Sequence, residues 1–260
     1  MKYENLLLET KDQLLFIIIN RESKLNALNK ATLSELHFAV TDACQNKNIG
    51  GIILTGVGKK AFVAGADISE FMHFSTDQGH DLAREGQTKV FDVIQNSTKP
   101  IVAAINGFAL GGGLELAMAC HIRIAADHAK LGLPEVSLGL IPCYGGTQRL
   151  TQLVGRGRAL EMILTANMIS ASDAYHWGLV NHVVQQDQLV AKVEEIMKKI
   201  LSRSPIATGS AIRAVNAALT DDVNGFDVEI QEFSNCFGTD DFKEGVAAFL
   251  EKRKAAFVRN

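Results

Sequence analysis

The segment from residue 100 to residue 121 constrains the fold more than any other part of the chain. The apolar run IVAAIN at residues 101–106 is typical of a buried β-strand, and LELAMAC at residues 114–120 has a helix-forming composition. Between them lie Gly107 and three consecutive glycines at residues 111–113. Glycines before a helix let the backbone approach a neighbouring group closely. The segment therefore predicts a strand, a glycine turn and a helix in direct succession.

Similar alternation on both sides of this segment predicts an α/β fold. Strands are predicted over residues 14–20, 49–55, 122–126 and 130–133, and helices over residues 29–45, from Asp67, over 76–95 and over 147–154. Beyond the strand-like LVNHVV, apolar residues recur at helical spacing, and a last amphipathic helix is predicted over residues 241–257. We therefore predict an α/β core over residues 1–190 and a helical region over residues 191–260.

Composition and charge exclude several function classes. The chain has 26 basic and 29 acidic residues, so no overall positive field would attract nucleic acid or an anionic membrane. Its apolar runs are too short to cross a bilayer, and its first residues lack the pattern of a secretory signal. The four cysteines are widely spaced without a CxxC pair. We expect a cytoplasmic protein with free thiols, no metal and no organic cofactor.

Two carboxylates stand in apolar surroundings at the starts of predicted helices or turns. Glu115 follows the glycine cluster and has apolar neighbours, and Glu135 follows Pro134 in LGLPEVSLGL. Acidic residues are often found at such positions because they compensate the helix dipole. Desolvation would also raise their pKa values towards the range useful for proton transfer. If their strands are neighbours, the two carboxylates could face one another and divide acid and base roles.

Two backbone positions are candidate anion-binding donors. The first amides of the helix after the glycine cluster have no intrahelical partner and lie at the positive end of its dipole. Asp67 and Glu70 have nearly the spacing of a capping box, which would leave the Ala66 amide unpaired. Tight strand-to-helix packing and a tight turn at Gly65 explain the same residues equally well. The GxGxxG, GxxxxGK[ST], GxSxG and HExxH motifs are missing from the sequence.

The motifs in this order resemble the crotonase, or enoyl-CoA hydratase, superfamily. The resemblance covers NRESKLNAL, KAFVAGADI, KPIVAAINGFALGGGLELAMAC, LGLPEVSLGLIP, GGTQRL, residues 170–184 and DDFKEGVAAFLEKRKAAF. It implies an α/β fold with a crotonase-like spiral of ββα units and a C-terminal helical trimerisation region. It also implies acyl-CoA substrates and a homotrimer or a homohexamer made of two trimers. Coenzyme A would be part of the substrate, with no further cofactor.

The same resemblance implies a role for individual residues. The amides of Ala66 and Gly112 would hold the thioester oxygen as an oxyanion hole. Glu115 would be the general base that activates water, and Glu135 would supply the proton to C2, giving a 3-hydroxyacyl-CoA. Further substrate contacts are implied for Ala64, Ala66, Asp67 and Ile68 along the coenzyme A path, for Lys24 at a phosphate and for Cys143 near the acyl chain.

Several alternatives stay open at this point. Many isomerases of the superfamily keep only the counterpart of Glu135, so Glu115 favours a hydratase over a double-bond isomerase. The other interpretations are a branched-chain enoyl-CoA hydratase on the same scaffold and a non-catalytic acyl-CoA or RNA-binding protein. Cys143 stands where the family's hydratases commonly have glycine, with Tyr144 after it. Because no His or Asp stands in an activating pattern, we interpret Cys143 as a pocket-lining thiol and not a nucleophile.

Overall fold

The computed structural model describes residues 3–258, which form two β-sheets and eleven α-helices within that range. The strands are β1 (Leu6–Lys11), β2 (Leu14–Ile19), β3 (Gly51–Gly56), β4 (Ala61–Ala64), β5 (Ile101–Ile105), β6 (Phe108–Leu110), β7 (Ile122–Ala126), β8 (Lys130–Gly132), β9 (Ile169–Ser170) and β10 (His182–Val184). The helices are α1 (Lys30–Gln45), α2 (Thr76–Gly86), α3 (Asp92–Gln95), α4 (Gly112–Ala119), α5 (Gly146–Val154), α6 (Arg156–Thr165), α7 (Ala171–His176), α8 (Leu189–Leu201), α9 (Pro205–Ala217), α10 (Gly225–Phe237) and α11 (Asp240–Leu250).

The strand order confirms the predicted spiral of ββα units. The larger sheet has the order β1-β2-β3-β5-β7-β10, and the smaller sheet has the order β4-β6-β8-β9. Pairing is parallel except between β1 and β2 and between β8 and β9. In the pairs β3–β4, β5–β6 and β7–β8, the first strand joins the larger sheet and the second joins the smaller one. A helical segment follows each pair, so successive turns of the chain stack on one another.

Strand β5 is buried on both faces, which explains its uninterrupted apolar sequence. Ile101, Ala103 and Ile105 belong to the main core cluster, while Val102 and Ala104 belong to a second cluster on the other face of the sheet. Alternate residues of a strand point to opposite faces, so a central parallel strand must be apolar throughout. Helix α8 covers the second face through Leu189, Val193 and Met197.

The predicted helix over residues 29–45 is confirmed as α1, and the Asn29 side chain caps it by accepting the Thr32 amide at 2.9 Å. The helix predicted over 76–95 forms as α2, a π-helical segment (Gln87–Phe91) and α3. The helix predicted from Asp67 is wrong, because only the single 3₁₀ turn Ile68–Glu70 forms.

The capping box predicted at Asp67 is also wrong. Its carboxylate accepts from Arg21 at 3.0 Å and from the Ser69 hydroxyl at 2.6 Å, while Glu70 accepts the Lys30 amide at 2.7 Å. A charge-assisted bond to a guanidinium is stronger than a bond to a backbone amide, so the Asp67 side chain turns towards Arg21.

The C-terminal helices leave a stripe of apolar side chains exposed. On α10, Phe226, Ile230 and Phe233 lie on one face and are each more than half exposed. The last helix ends at Leu250, not at residue 257, because Lys252 adopts a left-handed φ of 54° and the chain turns back. The predicted division near residue 190 falls at the start of α8 and stays a prediction. Among residues 3–258, no helix is both long and apolar enough to cross a membrane.

Candidate active site

A cavity of about 530 Å³ opens where β4, β6 and the N-terminus of α4 meet. The predicted site residues that line it are Ala64, Ala66, Ile68, Gly112, Glu115, Glu135 and Cys143. Two larger cavities have volumes of about 750 Å³, and one of them shares Phe71, Phe74 and Leu82 with this cavity, but none of the predicted site residues lines either of them. The smaller cavity is therefore the candidate active site.

Two predicted residues lie outside the lining of this cavity. Lys24 is exposed at the end of a 3₁₀ turn (Glu22–Lys24), and the Asp67 carboxylate is held by Arg21 and Ser69. The charge of Lys24 helps to lower the pKa of Asp67, after the larger effects of Ser69 and Arg21. Lys24 is therefore near the Ala66 segment, and its contact with a substrate phosphate stays a prediction.

Glu115 is buried in the first turn of α4, with only 1% of its surface exposed. Its Oε1 accepts the backbone amide of Tyr144 at 2.8 Å and that of Gly146 at 2.7 Å. Burial raises the pKa of Glu115 to about 7, with a further contribution from the negative charge of Glu135. The two amides and the nearby Arg149 oppose this rise, so the carboxyl group can change its charge near neutral pH.

The raised pKa of Glu115 predicts a pH dependence of stability. Unfolding returns the pKa from about 7 to its ordinary value of 4.5, so the folded chain binds more protons between these pH values. Glu115 therefore lowers the free energy of unfolding as pH rises through this window, by about 3 kcal/mol in total. This decrease is measured by urea unfolding of the wild type and of Glu115→Gln at pH 4.5 and 7.5, at one protein concentration. The same pH dependence in both proteins would contradict the prediction.

Glu135 lines the same cavity but has a different environment. It begins the 3₁₀ turn Glu135–Leu138 directly after Pro134. Its Oε2 is buried and has no hydrogen-bond partner in the described part of the chain. A Cβ on Gly111, whose φ is +50°, would lie 2.6 Å from Oε1 of Glu135, so only glycine leaves room for this carboxyl group. Burial raises the pKa of Glu135.

Two backbone amides that line the cavity have no partner within residues 3–258. The residues on either side of Ala66 pair with Leu28. The Leu28 amide donates to the Gly65 carbonyl at 2.9 Å, and the Leu28 carbonyl accepts from the Asp67 amide at 2.7 Å. Successive amides of an extended segment point to opposite sides, so the Ala66 amide points away from Leu28. Gly112 is the first residue of α4, where an amide has no carbonyl one turn earlier to bond.

The thiol of Cys143 and the ring of Tyr144 complete this side of the cavity. Desolvation raises the pKa of Cys143 to about 12, and the charges of Glu115 and Glu135 add to the effect. The thiol is therefore protonated at neutral pH, which argues against a nucleophile. The Tyr144 ring is buried and stacks on Phe91, with centroids 4.7 Å apart and planes 18° from parallel.

The sequence did not predict the apolar wall of the cavity or the contacts that hold Glu115. The wall is formed by Phe71, Phe74, Leu82, Leu138, Leu140 and Ile141. The signal for the Glu115 contacts was the glycine pair before TQRL, because such a pair at a helix start frees backbone amides. Over residues 3–258, no group of three or more His, Cys, Asp or Glu side chains could hold a metal ion.

Comparison with known proteins identifies the family. The family model described as enoyl-CoA hydratase/isomerase matches residues 9–260. The chain belongs to the enoyl-CoA hydratase/isomerase family. A crotonyl-CoA hydratase from Syntrophomonas wolfei is 47% identical over 99% of both chains, and a short-chain-enoyl-CoA hydratase from Clostridium acetobutylicum is 43% identical over 100% of both.

A solved structure supports the same membership. The crystal structure of an enoyl-CoA hydratase from Bacillus anthracis covers 99% of this chain and 100% of its own, with 40% identity and a TM-score of 0.92. The enoyl-CoA hydratase/isomerase match thus extends from the larger sheet through the C-terminal helices. Every predicted site residue, from Lys24 to Cys143, falls inside it.

Proposed function

We propose that this chain is an enoyl-CoA hydratase, which adds water across the C2–C3 double bond of a 2-enoyl-CoA to give a 3-hydroxyacyl-CoA. The observation that carries the proposal is that two carboxyl groups in unlike environments line one cavity beside two unpaired amides. The names of the relatives from Syntrophomonas wolfei and Clostridium acetobutylicum support the same reaction.

Contacts favour Glu115 as the base and Glu135 as the acid. Two amides donate to Glu115, and bonds of this kind stabilise its ionised form. Glu135 has a buried oxygen without a partner among the described residues, which favours its neutral form. Two close carboxylates also repel each other when both are ionised, so the pair tends to keep one proton. The pair therefore shares one proton near neutral pH, and the reactive form is the one in which Glu115 is ionised and Glu135 carries the proton.

Hydration then needs two proton transfers. Glu115 takes a proton from a water molecule while the water oxygen forms a bond to C3, and Glu135 gives a proton to C2. The electron pair of the double bond passes through the thioester, so negative charge develops on the carbonyl oxygen. The amides of Ala66 and Gly112 would stabilise that charge without having to reorganise. A proton passing from Glu115 to Glu135 through water restores the starting state.

The apolar wall of the cavity supports an acyl substrate. This wall includes Phe71, Phe74 and Ile141, and the cavity volume of about 530 Å³ is that of an ordinary small-molecule site. Ala64, Ala66 and Ile68 would follow the pantetheine arm, with Asp67 behind them and Lys24 at a phosphate. Cys143 would contact the acyl group near C3. No cofactor is needed, because coenzyme A is part of the substrate.

Incubation with crotonyl-CoA tests the proposal. Loss of the enoyl absorbance and appearance of 3-hydroxybutyryl-CoA by mass spectrometry are expected. A chain that converts a 3-enoyl-CoA to the 2-enoyl-CoA but does not hydrate it would be an isomerase. Hydration of a 2-methyl-branched enoyl-CoA in preference to crotonyl-CoA would favour the branched-chain alternative. Binding of acyl-CoA without turnover of any of these substrates would contradict a catalytic function.

We also propose that the exposed stripe on α10 is buried against other copies of this chain. Phe226, Ile230, Phe233 and Phe237 give α10 an apolar face, and Phe249 and Leu250 extend the exposed apolar surface onto α11. Large exposed apolar patches are typical of association surfaces. A homotrimer or a homohexamer is expected, and light scattering distinguishes them by mass. A monomeric mass would refute this assembly.

A further inference from the structure

The turn whose amides donate hydrogen bonds to Glu115 contains two glycines, Gly145 and Gly146, on which its shape depends. The amides that Glu115 accepts belong to Tyr144, and to Gly146 at the first position of α5. A Cβ on Gly146 would lie 2.6 Å from Oε1 of Glu115, and Gly145 adopts a φ of +86° that side chains rarely allow. The turn is therefore packed closely against the carboxylate, and a shift of the turn would lengthen both bonds.

Arg149, three residues along α5, folds back over this turn and is only 8% exposed. Its Nη1 donates to the carbonyl of Tyr144 at 2.7 Å, its Nη2 to Asp92 at 3.0 Å and its Nε to the side-chain oxygen of Gln95 at 2.6 Å. The guanidinium occupies the space where a side chain on Gly145 would lie. Each edge of the planar group is therefore fixed, which a flexible ammonium could not reproduce.

The acceptors of Arg149 are themselves anchored. Asp92 and Gln95 lie on α3, and the backbone carbonyl of Gln95 accepts from Asn216 on α9 at 2.6 Å and contacts Nε2 of His121 at 3.0 Å. These contacts join α3 to the C-terminal helices and to the segment after α4. Arg149 thus ties the turn to a part of the protein that has no contact with the cavity.

We propose that Arg149, fixed by Asp92 and Gln95, is a positioning residue that keeps the amides of Tyr144 and Gly146 directed at Glu115. The inference deepens the proposed function, because it rests on Glu115 as the base of the reaction. Arg149 does not line the cavity, so it acts through the turn and through its charge.

Charges around Glu115 set the direction of the expected effect. Glu135 raises the pKa of Glu115, and the amides and the guanidinium of Arg149 lower it. The other titratable neighbours, Cys143 and Tyr144, are uncharged at neutral pH because desolvation raises the pKa of each. Removing Arg149 loses a positive charge and loosens the turn, and both changes raise the pKa of Glu115.

The test compares Arg149→Met and Arg149→Lys with the wild type, and uses Arg156→Met as the control because Arg156 is exposed on α6. The titration of Glu115 is followed by NMR with ¹³C-labelled carboxyl groups, and its signal is assigned as the one missing from Glu115→Gln. In parallel, the pH profile of crotonyl-CoA hydration is measured. Since Glu115 must be ionised, its titration and the acid limb of kcat are expected to move to higher pH in Arg149→Met.

A rise of one unit from a pKa of about 7 lowers the ionised fraction at pH 7 roughly fivefold, so kcat falls by at least this factor while KM changes little. Arg149→Lys keeps the charge without the planar contacts and is expected to give a smaller shift. Arg156→Met should match the wild type.

A wild-type titration of Glu115 in a folded Arg149→Met protein would overturn the inference. If that variant does not fold, Arg149→Lys decides, and an unshifted titration and acid limb there would overturn it as well. The NMR titration needs no turnover. A wild type in which no enoyl-CoA is hydrated would therefore refute the proposed function, while a shifted Glu115 titration would still support the structural part of the inference.

Discussion

Glutamine in place of Glu115 is expected to lower kcat for crotonyl-CoA hydration by about 10²–10⁴-fold with little change in KM. The amide has nearly the shape of the carboxylate, and its oxygen can accept the Tyr144 and Gly146 amides in the same way. It cannot take a proton from water. The lost factor is therefore that of general base catalysis, which acts in the transition state and not in substrate binding.

Glu161→Gln is the matched control, because Glu161 is exposed on α6 and lies outside the cavity lining. It should have wild-type kcat and KM. Far-UV circular dichroism and thermal melting establish that Glu115→Gln is folded. Hydration by folded Glu115→Gln at more than a tenth of the wild-type rate would exclude Glu115 as the base.

Glu135→Gln is expected to lower kcat by about 10²–10⁴-fold as well, but through the other half of the reaction. The neutral amide fits the space beside Gly111, yet it has no acidic proton to give to C2. Any residual turnover must take that proton from solvent. In D₂O, the wild type should therefore place deuterium on one face of C2, and Glu135→Gln should lose this stereospecificity.

The stereochemical readout separates a catalytic role from a structural one. A change that merely disturbed the cavity would slow hydration without altering the face to which deuterium is added. Retained stereospecificity in a slow Glu135→Gln protein would assign the proton donor to another group. The Glu161→Gln control applies here too, with unchanged rate and unchanged deuterium placement expected.

Part of the site's backbone followed from the sequence because local chemistry determines it. Strand β5 had to be apolar on both faces, and the glycines at residues 111–113 had to precede a helix. These two features place Gly112 and Glu115 at a helix start, but the direct succession predicted from strand to helix is wrong, because strand β6 (Phe108–Leu110) forms between β5 and α4. Glu135 was predictable in the same way, since Pro134 fixes the start of its turn.

The errors and omissions involve partners that are distant in sequence. Asp67 has the spacing of a cap, but Arg21, 46 residues earlier, competes successfully for its carboxylate. In the sequence, Arg149 has the pattern of an ordinary helical arginine. Only the fold shows that it pairs with Asp92, 57 residues earlier. Side chains with long reach select partners through the fold, and one sequence contains no measure of that proximity.

The stacked turns of the fold separate two kinds of evolutionary change. The proposed proton-transfer groups and amide donors lie on short junctions at residues 66, 112, 115 and 135, where the chain passes from strand to helix or turn. Part of the apolar wall, Phe71, Phe74 and Leu82, lies in and around α2, between two turns of the spiral. Insertions or substitutions there would reshape acyl selectivity while the reaction chemistry is inherited intact. The architecture thus allows substrate range to diversify faster than mechanism.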